Sequence, residues 1–320
     1  MVQKIALEEH FLSPGYEEYW GTTVGNVDPN FARTILSRLT DFGEMRLKSM
    51  DEAGIARSVL AIAGPGVQIE RDVPTATRRA RESNDFLARE IQKRPDRYAG
   101  FAHLAVQDPR GAADELERCM RDLKFCGAMI NGHTFGQYLD HPSLYPFWER
   151  AETLGAPIYI HPTDPVAPSA ALEGVAGLRR ATWEWGFETG SHALRLVFSG
   201  HFERFPRAKV ILGHLGETLP YLLWRLDSRA KLYGIKLSRE PSDYIKNNII
   251  VTTSGMCSAE PLNCALAALG PSRVMFAADY PFESAQEAGE FLDHVNLAEP
   301  LRSDIASNNA AKYLNLTTSS

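Results

Sequence analysis

The feature that most constrains the fold of this 320-residue chain is an alternation of short apolar runs with longer amphipathic segments. The apolar residues in eight of these runs are consecutive rather than alternating with polar ones, which is typical of strands buried on both faces. Parallel strands need helical crossovers, so the pattern predicts a parallel sheet covered by helices. The predicted strands are Lys4–Leu7, Arg57–Ala63, Arg97–Leu104, Gly127–Asn131, Pro157–His161, Lys209–His214, Asn248–Thr253 and Arg273–Asp279.

Eight strand–helix units favour a closed (β/α)8 barrel of the TIM type over an open, doubly wound sheet. An open sheet that binds a dinucleotide would have a glycine-rich turn after its first strand, and the sequence has none. The length alone would also suit two domains, but barrels reach this size as single units. We therefore expect one α/β domain over residues 1–320, with a long loop at about 162–190. One helix is predicted from about Ile35 to Ala53 and another around Ser191–Ser199.

Composition limits the class of partner. The chain has 34 basic and 40 acidic side chains, and its net charge of −6 argues against nucleic acid or an anionic membrane surface. No apolar run approaches the ~18–20 residues of a membrane span, and the start of the chain lacks a signal-peptide pattern. Four cysteines without a C-x-x-C pair are too few for a disulfide framework. These features predict a reduced, cytoplasmic enzyme.

Metal-binding side chains stand at the carboxyl ends of the predicted strands, where barrel enzymes place their active sites. Glu8 and His10 end the first strand two residues apart, so both project to the same face. His161, His214 and Asp279 end the fifth, sixth and eighth strands. Imidazole suits Zn²⁺ and carboxylate suits Mg²⁺ or Mn²⁺, so this mixed set leaves Zn²⁺ and Mn²⁺ open, with Mg²⁺ as a further candidate.

Each of these histidines, taken alone, is more often a hydrogen-bonded structural residue than a metal ligand. The coincidence favours a metal site, because four separate strands end in a ligand-type side chain at the same end. Buried carboxylates also cost several kcal/mol unless they are paired or bind metal. We interpret the other histidines as structural or surface residues, with His133, just past the fourth strand, as the strongest exception.

Other catalytic motifs are missing from the sequence. There is no G-x-x-x-x-G-K-[ST] phosphate loop and no H-E-x-x-H helix, and Gly64-Pro65-Gly66 does not continue as G-x-G-x-x-G because residue 69 is isoleucine. There is no G-x-S-x-G nucleophile elbow. No cysteine ends a strand in a basic, exposed context, so thiol catalysis is unsupported. No organic cofactor is implied.

Five strings of residues, taken in order along the chain, resemble one known family. They are Ile5-Ala6-Leu7-Glu8-Glu9-His10-Phe11, Tyr159-Ile160-His161-Pro162, Ile211-Leu212-Gly213-His214-Leu215-Gly216-Glu217, Thr252-Thr253-Ser254-Gly255 and Asp279-Tyr280-Pro281-Phe282-Glu283. Together they resemble the hydroxybenzoate decarboxylase branch of the amidohydrolase superfamily over nearly the whole chain. Other members of that superfamily usually begin with H-x-H, so Glu8 in the first position favours the decarboxylase branch over the hydrolases.

The resemblance points to two different substrates. The Glu8-Glu9-His10 string is similar to that of γ-resorcylate (2,6-dihydroxybenzoate) decarboxylase. In contrast, Asn131-Gly132-His133-Thr134 and Gly186-Phe187-Glu188-Thr189-Gly190 are more similar to the 5-carboxyvanillate enzyme. The ring substitution of the benzoate and the physiological direction of the reaction therefore stay open.

The resemblance also implies a metal site and a proton donor. Glu8, His10, His161 and Asp279 would bind one divalent ion, which would chelate a phenolic oxygen and a carboxylate oxygen of the substrate. Asp279 would deliver a proton to the ring carbon that carries the carboxylate, because loss of CO₂ without that proton would leave an aryl anion.

The resemblance implies roles for three further residues. His214 would hydrogen-bond the substrate or a water, with Glu217 orienting its imidazole. Arg225 would bind the substrate carboxylate in a neighbouring subunit's site. Without the resemblance, the sequence favours a surface arginine that pairs with Asp227 or Glu217.

Apart from the resemblance, the reaction would benefit from an apolar cap that excludes water. Either Phe282 or the aromatic residues of the long loop, Trp183, Trp185 and Phe187, would supply it, or those aromatics would pack against a neighbouring subunit.

The leading hypothesis is thus a metal-dependent, non-oxidative decarboxylase of an ortho-hydroxybenzoate, which is a carbon–carbon lyase. A metal-dependent hydrolase of a lactone, amide or ester on the same barrel stays an alternative, and so does an inactive metal-binding or scaffold protein. The expected partners are a small aromatic carboxylic acid and, from the family comparison and the aromatic residues predicted on helix surfaces, further copies of the chain in a homodimer or homotetramer.

Overall fold

The computed structural model describes residues 2–24 and 27–316. Eight strands form two sheets, β1 to β3 and β4 to β8, in which every pair of neighbouring strands is parallel. The strands are β1 (Lys4–Phe11), β2 (Ile55–Ile62), β3 (Tyr98–Gly100), β4 (Ala128–Asn131), β5 (Pro157–His161), β6 (Lys209–Leu212), β7 (Ile249–Thr252) and β8 (Val274–Met275).

The two sheets are parts of one barrel. Ala102 and Ala128 form a parallel bridge that joins them on one side. On the other side, the backbone N–H of His10 donates to the carbonyl of Tyr280 over 2.7 Å. One apolar cluster fills the interior with side chains from all eight strands or the residues directly after them, namely Ile5, Leu7, Val59, Ala61, Ala99, Phe101, Met129, Tyr159, Ile211, Ile250, Met275 and Ala277. Since an open sheet cannot bring its first and last strands to a common interior, the prediction of a (β/α)8 barrel is confirmed.

The outer face of the strands is also apolar, which explains the consecutive apolar runs. In β5, Tyr159 belongs to the interior cluster, whereas Ile158 and Ile160 pack outward against the helices. No helix among the residues described is long and apolar enough to cross a bilayer. The helices are α1 (Glu17–Gly21), α2 (Pro29–Leu39), α3 (Glu44–Glu52), α4 (Val73–Lys93), α5 (Pro109–Arg121), α6 (Tyr145–Leu154), α7 (Glu184–Phe198), α8 (His201–Arg204), α9 (Leu219–Leu232), α10 (Pro241–Asn248), α11 (Ala259–Leu269), α12 (Ala285–His294), α13 (Glu299–Ser303) and α14 (Asn309–Leu314).

Two predicted elements had wrong boundaries near the site. The long loop was expected to reach about residue 190, but α7 begins at Glu184, so the loop spans 162–183 and contains three short 3₁₀ turns. The eighth strand was expected to reach Asp279, but β8 ends at Met275. The backbone N–H of Phe276 donates to Ile305 instead of a neighbouring strand, and Asp279 has a left-handed φ of 66°.

The helix predicted from Ile35 to Ala53 is two helices, because residues 40–43 form a turn between α2 and α3. Asp41 in that turn accepts a hydrogen bond from the backbone N–H of Arg46 over 2.9 Å, which fixes the first turn of α3. The break places the Arg46 side chain in the protein interior, where it is only 1% exposed.

Arg46 holds together the seam between β1 and the segment after β8, where no strand ladder joins the two within the described residues. Its Nη2 donates to the carbonyl of His10 over 2.6 Å, and its guanidinium lies 4.9 Å from the centroid of the Tyr280 ring. Beside it, Glu9 Oε1 accepts from the backbone N–H of Ala278 over 2.9 Å. Side chains therefore replace the missing ladder and fix the two segments that carry His10 and Asp279.

Replacing Arg46 with methionine should lower the free energy of unfolding by about 3 kcal/mol, because the buried carbonyl of His10 then loses a charged donor. Urea unfolding followed by circular dichroism measures this loss. The matched control is Arg38→Met on the exposed face of α2, for which we expect a change within about 0.5 kcal/mol. Equal stability of the two variants would show that Arg46 does not stabilise the seam.

Candidate active site

Four side chains converge at the carboxyl end of the barrel. Glu8, His10, His161 and Asp279 each offer a ligand atom, and these atoms all lie within 4.8 Å of one another. An irregularity in the pairing of β1 with β2 between Ala6 and Glu9 brings about this arrangement. It allows Leu7 to fill the barrel interior while Glu8 and His10 face its mouth, as bulges beside active sites often do.

Several polar atoms of this cluster have no hydrogen-bond partner within the described residues. They are Glu8 Oε1, both ring nitrogens of His10 and Asp279 Oδ1, although His10 Nε2 and Asp279 Oδ1 lie 3.2 Å apart as an ion pair. Buried polar atoms are nearly always hydrogen-bonded, so a group of such atoms around one point needs an explanation. A divalent cation fits the donor set, because two carboxylates and two imidazoles supply both charge and lone pairs.

The tautomer of His161 also suits a ligand. Its Nδ1 lies 2.8 Å from the carbonyl oxygen of Pro162, which can only accept, so Nδ1 carries the hydrogen. The Nε2 lone pair then faces the cluster, 3.6 Å from Glu8 Oε1. Burial and the nearby His10 lower the pKa of His161 to about 3, so its imidazole stays neutral at ordinary pH.

Tyr159 is a site residue that the sequence reasoning missed. Its hydroxyl donates to Glu8 Oε2 and lies 2.8 Å from Thr252 Oγ1. The signal was present in the sequence, because Tyr159 stands two residues before His161 on β5 and therefore points to the same face. This contact orients Glu8 and occupies one carboxylate oxygen, which leaves the other free for the cluster.

His214 lies between two carboxylates beside the cluster. Its Nδ1 is 3.0 Å from Glu217 Oε1, and its Nε2 is 3.7 Å from Asp279 Oδ2. It follows β6 rather than ending it as predicted, because the strand stops at Leu212 and the chain turns with left-handed backbone at His214, Leu215 and Glu217. The turn aims both polar side chains at the barrel mouth.

These contacts shift the pKa values of His214 and Asp279 in opposite directions. Burial alone would lower the pKa of His214, but the nearby carboxylate of Asp279 and the contact with Glu217 outweigh it and raise that pKa well above its ordinary value. Burial alone would raise the pKa of Asp279, but His10 and His214 outweigh it and lower that pKa. Without a metal, these contacts therefore favour a protonated His214 beside the ionised carboxylate of Asp279.

The cluster opens into a cavity of about 740 Å³, and His161, His214, Glu217 and Asp279 form part of its wall. Phe282 also lines the cavity, with its ring 5.4 Å from that of His10. Of the aromatic residues expected in a cap, Trp185 lines the cavity, and its indole N–H donates to Asp164 over 2.7 Å. Trp183 and Phe187 are exposed and do not line it.

Arg225 lies outside this cavity. It is exposed on α9 beside Tyr221 and Trp224, whose side chains are 82% and 76% exposed. The alternative ion pair of Arg225 with Asp227 or Glu217 is not formed. Instead, Asp227 accepts from the backbone of Ser242, and Glu217 contacts His214. A single chain therefore does not bring Arg225 to its own site.

Comparison with known proteins gives consistent matches over the full length. The model of the family described as amidohydrolase matches residues 27–316. A γ-resorcylate decarboxylase from Polaromonas sp. is 39% identical over 326 residues, which cover 98% of each chain.

Solved structures agree with these matches. The crystal structure of a dihydroxybenzoic acid decarboxylase from Polaromonas sp. JS666, with bound manganese and the inhibitor 2-nitroresorcinol, has a TM-score of 0.92 at 38% identity and covers 100% of this chain and 98% of its own. A 5-carboxyvanillate decarboxylase from Sphingomonas paucimobilis has a TM-score of 0.91 at 35% identity, with coverage of 99% and 100%.

Replacing Glu217 with glutamine should lower the pKa of His214, because the imidazolium loses one of the two carboxylates that stabilise it. Nuclear magnetic resonance of the metal-free protein, with labelled histidine, measures the titration directly. Glu283→Gln is the matched control, since that carboxylate lines the same cavity without a contact to His214 and should shift the pKa less. An unchanged pKa in Glu217→Gln would contradict the assigned contact.

Proposed function

The chain belongs to the amidohydrolase family, and from that premise we propose that it is a metal-dependent, non-oxidative decarboxylase of an ortho-hydroxybenzoate. The observation that carries the proposal is the cluster of Glu8, His10, His161 and Asp279, whose ligand atoms lie within 4.8 Å of one another and of which His161 and Asp279 line a cavity large enough for an aromatic acid. The full-length relatives that act on hydroxybenzoates support the same reaction.

The metal ligands in this proposal are Glu8, His10, His161 and Asp279. When bound, a divalent ion supplies positive charge that polarises the phenolic and carboxylate oxygens of the substrate. The manganese in the related Polaromonas structure favours Mn²⁺ over Zn²⁺ for this chain, since the donor set suits either ion. We infer no organic cofactor.

Asp279 moves the proton that the reaction requires. Its lowered pKa keeps the resting carboxylate ionised, so it can accept the proton of the ortho phenol and transfer it to the ring carbon that bears the carboxylate. The ring becomes a dienone, the bond to the carboxylate carbon then breaks, and its electron pair restores the aromatic ring as a phenolate. CO₂ leaves, and water returns a proton to the phenolate.

His214 and Phe282 prepare the substrate for this step. The imidazolium of His214, oriented by Glu217 over 3.0 Å, donates to an oxygen of the substrate. The ring of Phe282 packs over the bound ring and limits access of water, because it lines the cavity directly beside His10. Neither residue exchanges a proton with the reacting carbon.

Arg225 binds the substrate carboxylate in the site of a second copy of this chain. Its exposed guanidinium lies in the neighbourhood of Tyr221 and Trp224, and such an aromatic and arginine-containing face is typical of a protein interface. The protein is therefore a homodimer or homotetramer. A cytoplasmic location stays a prediction from composition.

The substrate that best fits the comparisons is a 2,6-dihydroxybenzoate. Identity to the γ-resorcylate decarboxylase is 39%, against 35% for the 5-carboxyvanillate enzyme, and both cover nearly the whole chain. Incubation of the manganese-loaded protein with ortho-hydroxybenzoates tests the function. Release of CO₂ and a phenol supports a decarboxylase, whereas hydrolysis of lactones, amides or esters without CO₂ release would support the hydrolase alternative.

Asp279→Asn should reduce kcat by about 10²–10⁴-fold, because asparagine keeps an oxygen for the metal but cannot relay the proton. Continuous detection of CO₂ measures the rate, and elemental analysis measures the bound metal. Glu283→Gln, which also lines the cavity, should retain most of the activity. Full activity of Asp279→Asn with metal bound would rule out the proton relay.

Mixing subunits tests the role of Arg225. Arg225→Met and Asp279→Asn should each be nearly inactive as pure proteins. After refolding together, they should regain activity, because a mixed oligomer pairs an intact Asp279 in one chain with an intact Arg225 from the other. No recovery in a mixture that mass spectrometry shows to contain both chains would place Arg225 outside the neighbouring site.

A further inference from the structure

The cavity extends well beyond the catalytic cluster. Its volume of about 740 Å³ falls within the roughly 300–1,000 Å³ that proteins use for drug-sized ligands, of which a single substituted ring fills only part. The cluster residues form one region of the wall. Another region, here termed the apolar arm, consists of Trp20, Phe31, Ile35, Ile69, Phe135 and Val166.

The apolar arm presents side chains that the fold itself does not cover. Trp20 and Ile35 are buried, whereas Phe31, Phe135 and Val166 are 50%, 46% and 67% exposed although they line a cavity. Single exposed apolar residues are common, but apolar side chains gathered in one concave wall mark a ligand-binding surface. The arm therefore offers apolar area that a ligand would remove from water.

The charged residues of the cavity limit what the arm can bind. Arg180 is paired with Asp164 at 3.3 Å, and the guanidinium of Arg71 stacks 4.7 Å from the centroid of the Phe135 ring. Arg71 keeps its charge beside Phe135, but the six side chains that form the arm are themselves uncharged, so the surface that they present favours an apolar group.

We infer that the apolar arm binds an uncharged apolar substituent of the substrate, so that the preferred substrates are ortho-hydroxybenzoates with an alkyl or aryl group on the ring. This inference rests on the proposed function. One continuous cavity joins the arm to the cluster, so a substrate whose carboxylate end is fixed at the cluster extends its far side into the arm. The substituent stands para to the carboxylate, the position that points away from it.

The test compares 2,6-dihydroxybenzoate with its 4-methyl, 4-propyl and 4-pentyl derivatives on the manganese-loaded enzyme. We expect kcat/KM to rise with chain length, by up to about fourfold for each methylene that the arm removes from water. Inhibition constants of the matching 5-alkylresorcinols should fall in parallel, which measures binding without turnover.

Substitutions in the apolar arm test whether it causes the increase of kcat/KM with chain length. Phe31→Ser and Phe135→Ser should each reduce the increase of kcat/KM with chain length, and both positions are half-exposed, so we expect folding to be retained. Val166→Ser provides a third position if one of these fails to fold. The matched control is Met45→Ser, an exposed apolar residue of α3 outside the cavity, which should leave the increase unchanged.

The outcomes separate this inference from the proposed function. Turnover of 2,6-dihydroxybenzoate with a kcat/KM that stays flat or falls as the chain lengthens would overturn the inference alone. An increase that persists undiminished in all three arm variants would also overturn it. Absence of CO₂ release from every benzoate would instead overturn the proposed function.

Discussion

The burial of two carboxylates within reach of each other is the interaction on which the rest of this structure depends. Glu8 is fully buried and Asp279 nearly so, and their ligand atoms lie within the same 4.8 Å cluster. Burial and the Asp279 charge both raise the pKa of Glu8, so the protein alone holds its anionic form at a cost. A divalent cation removes that cost, which explains why ligand atoms stay unpaired in a tightly packed interior.

The surrounding fold stabilises this unfavourable arrangement. Asp279, His214 and Glu217 all have left-handed backbone, which costs an ordinary residue on the order of 1 kcal/mol or more. The segments that carry them are fixed by contacts outside the cluster, among them the hydrogen bonds of Arg46 and Glu9 at the seam. The stability of the strands and of the buried side chains therefore offsets the cost of a backbone conformation that the local sequence does not favour.

For site residues within strands the sequence predicted both the residue and its placement, whereas for His214 and Asp279, which lie beyond the strands, it predicted the residue but not the local structure. Glu8 and His10 share a face because they stand two residues apart, and His161 ends β5, but the irregularity in β1 that turns Glu8 and His10 toward the mouth was not predicted. Asp279 was predicted as the last residue of the eighth strand. In the structure β8 stops at Met275, and the left-handed backbone at Asp279 places its carboxylate at the site. The structural role of Arg46 could not be predicted. It depends on the break between α2 and α3, which the apolar periodicity did not reveal, and on contacts with His10 and Tyr280, which are distant in sequence.

The charge of the cavity bears on how a benzoate is held. Within the described residues, Arg71 and Arg180 are the basic side chains that line it, and one stacks on Phe135 while the other pairs with Asp164. Among the described side chains that line the cavity, Arg180 and His214 each contact a carboxylate, whereas Arg71 stacks on Phe135 without a carboxylate partner, in a protein whose net charge is −6. In the function proposed above, the metal and Arg225 of a second copy supply further positive charge, so assembly is part of the proposed chemistry.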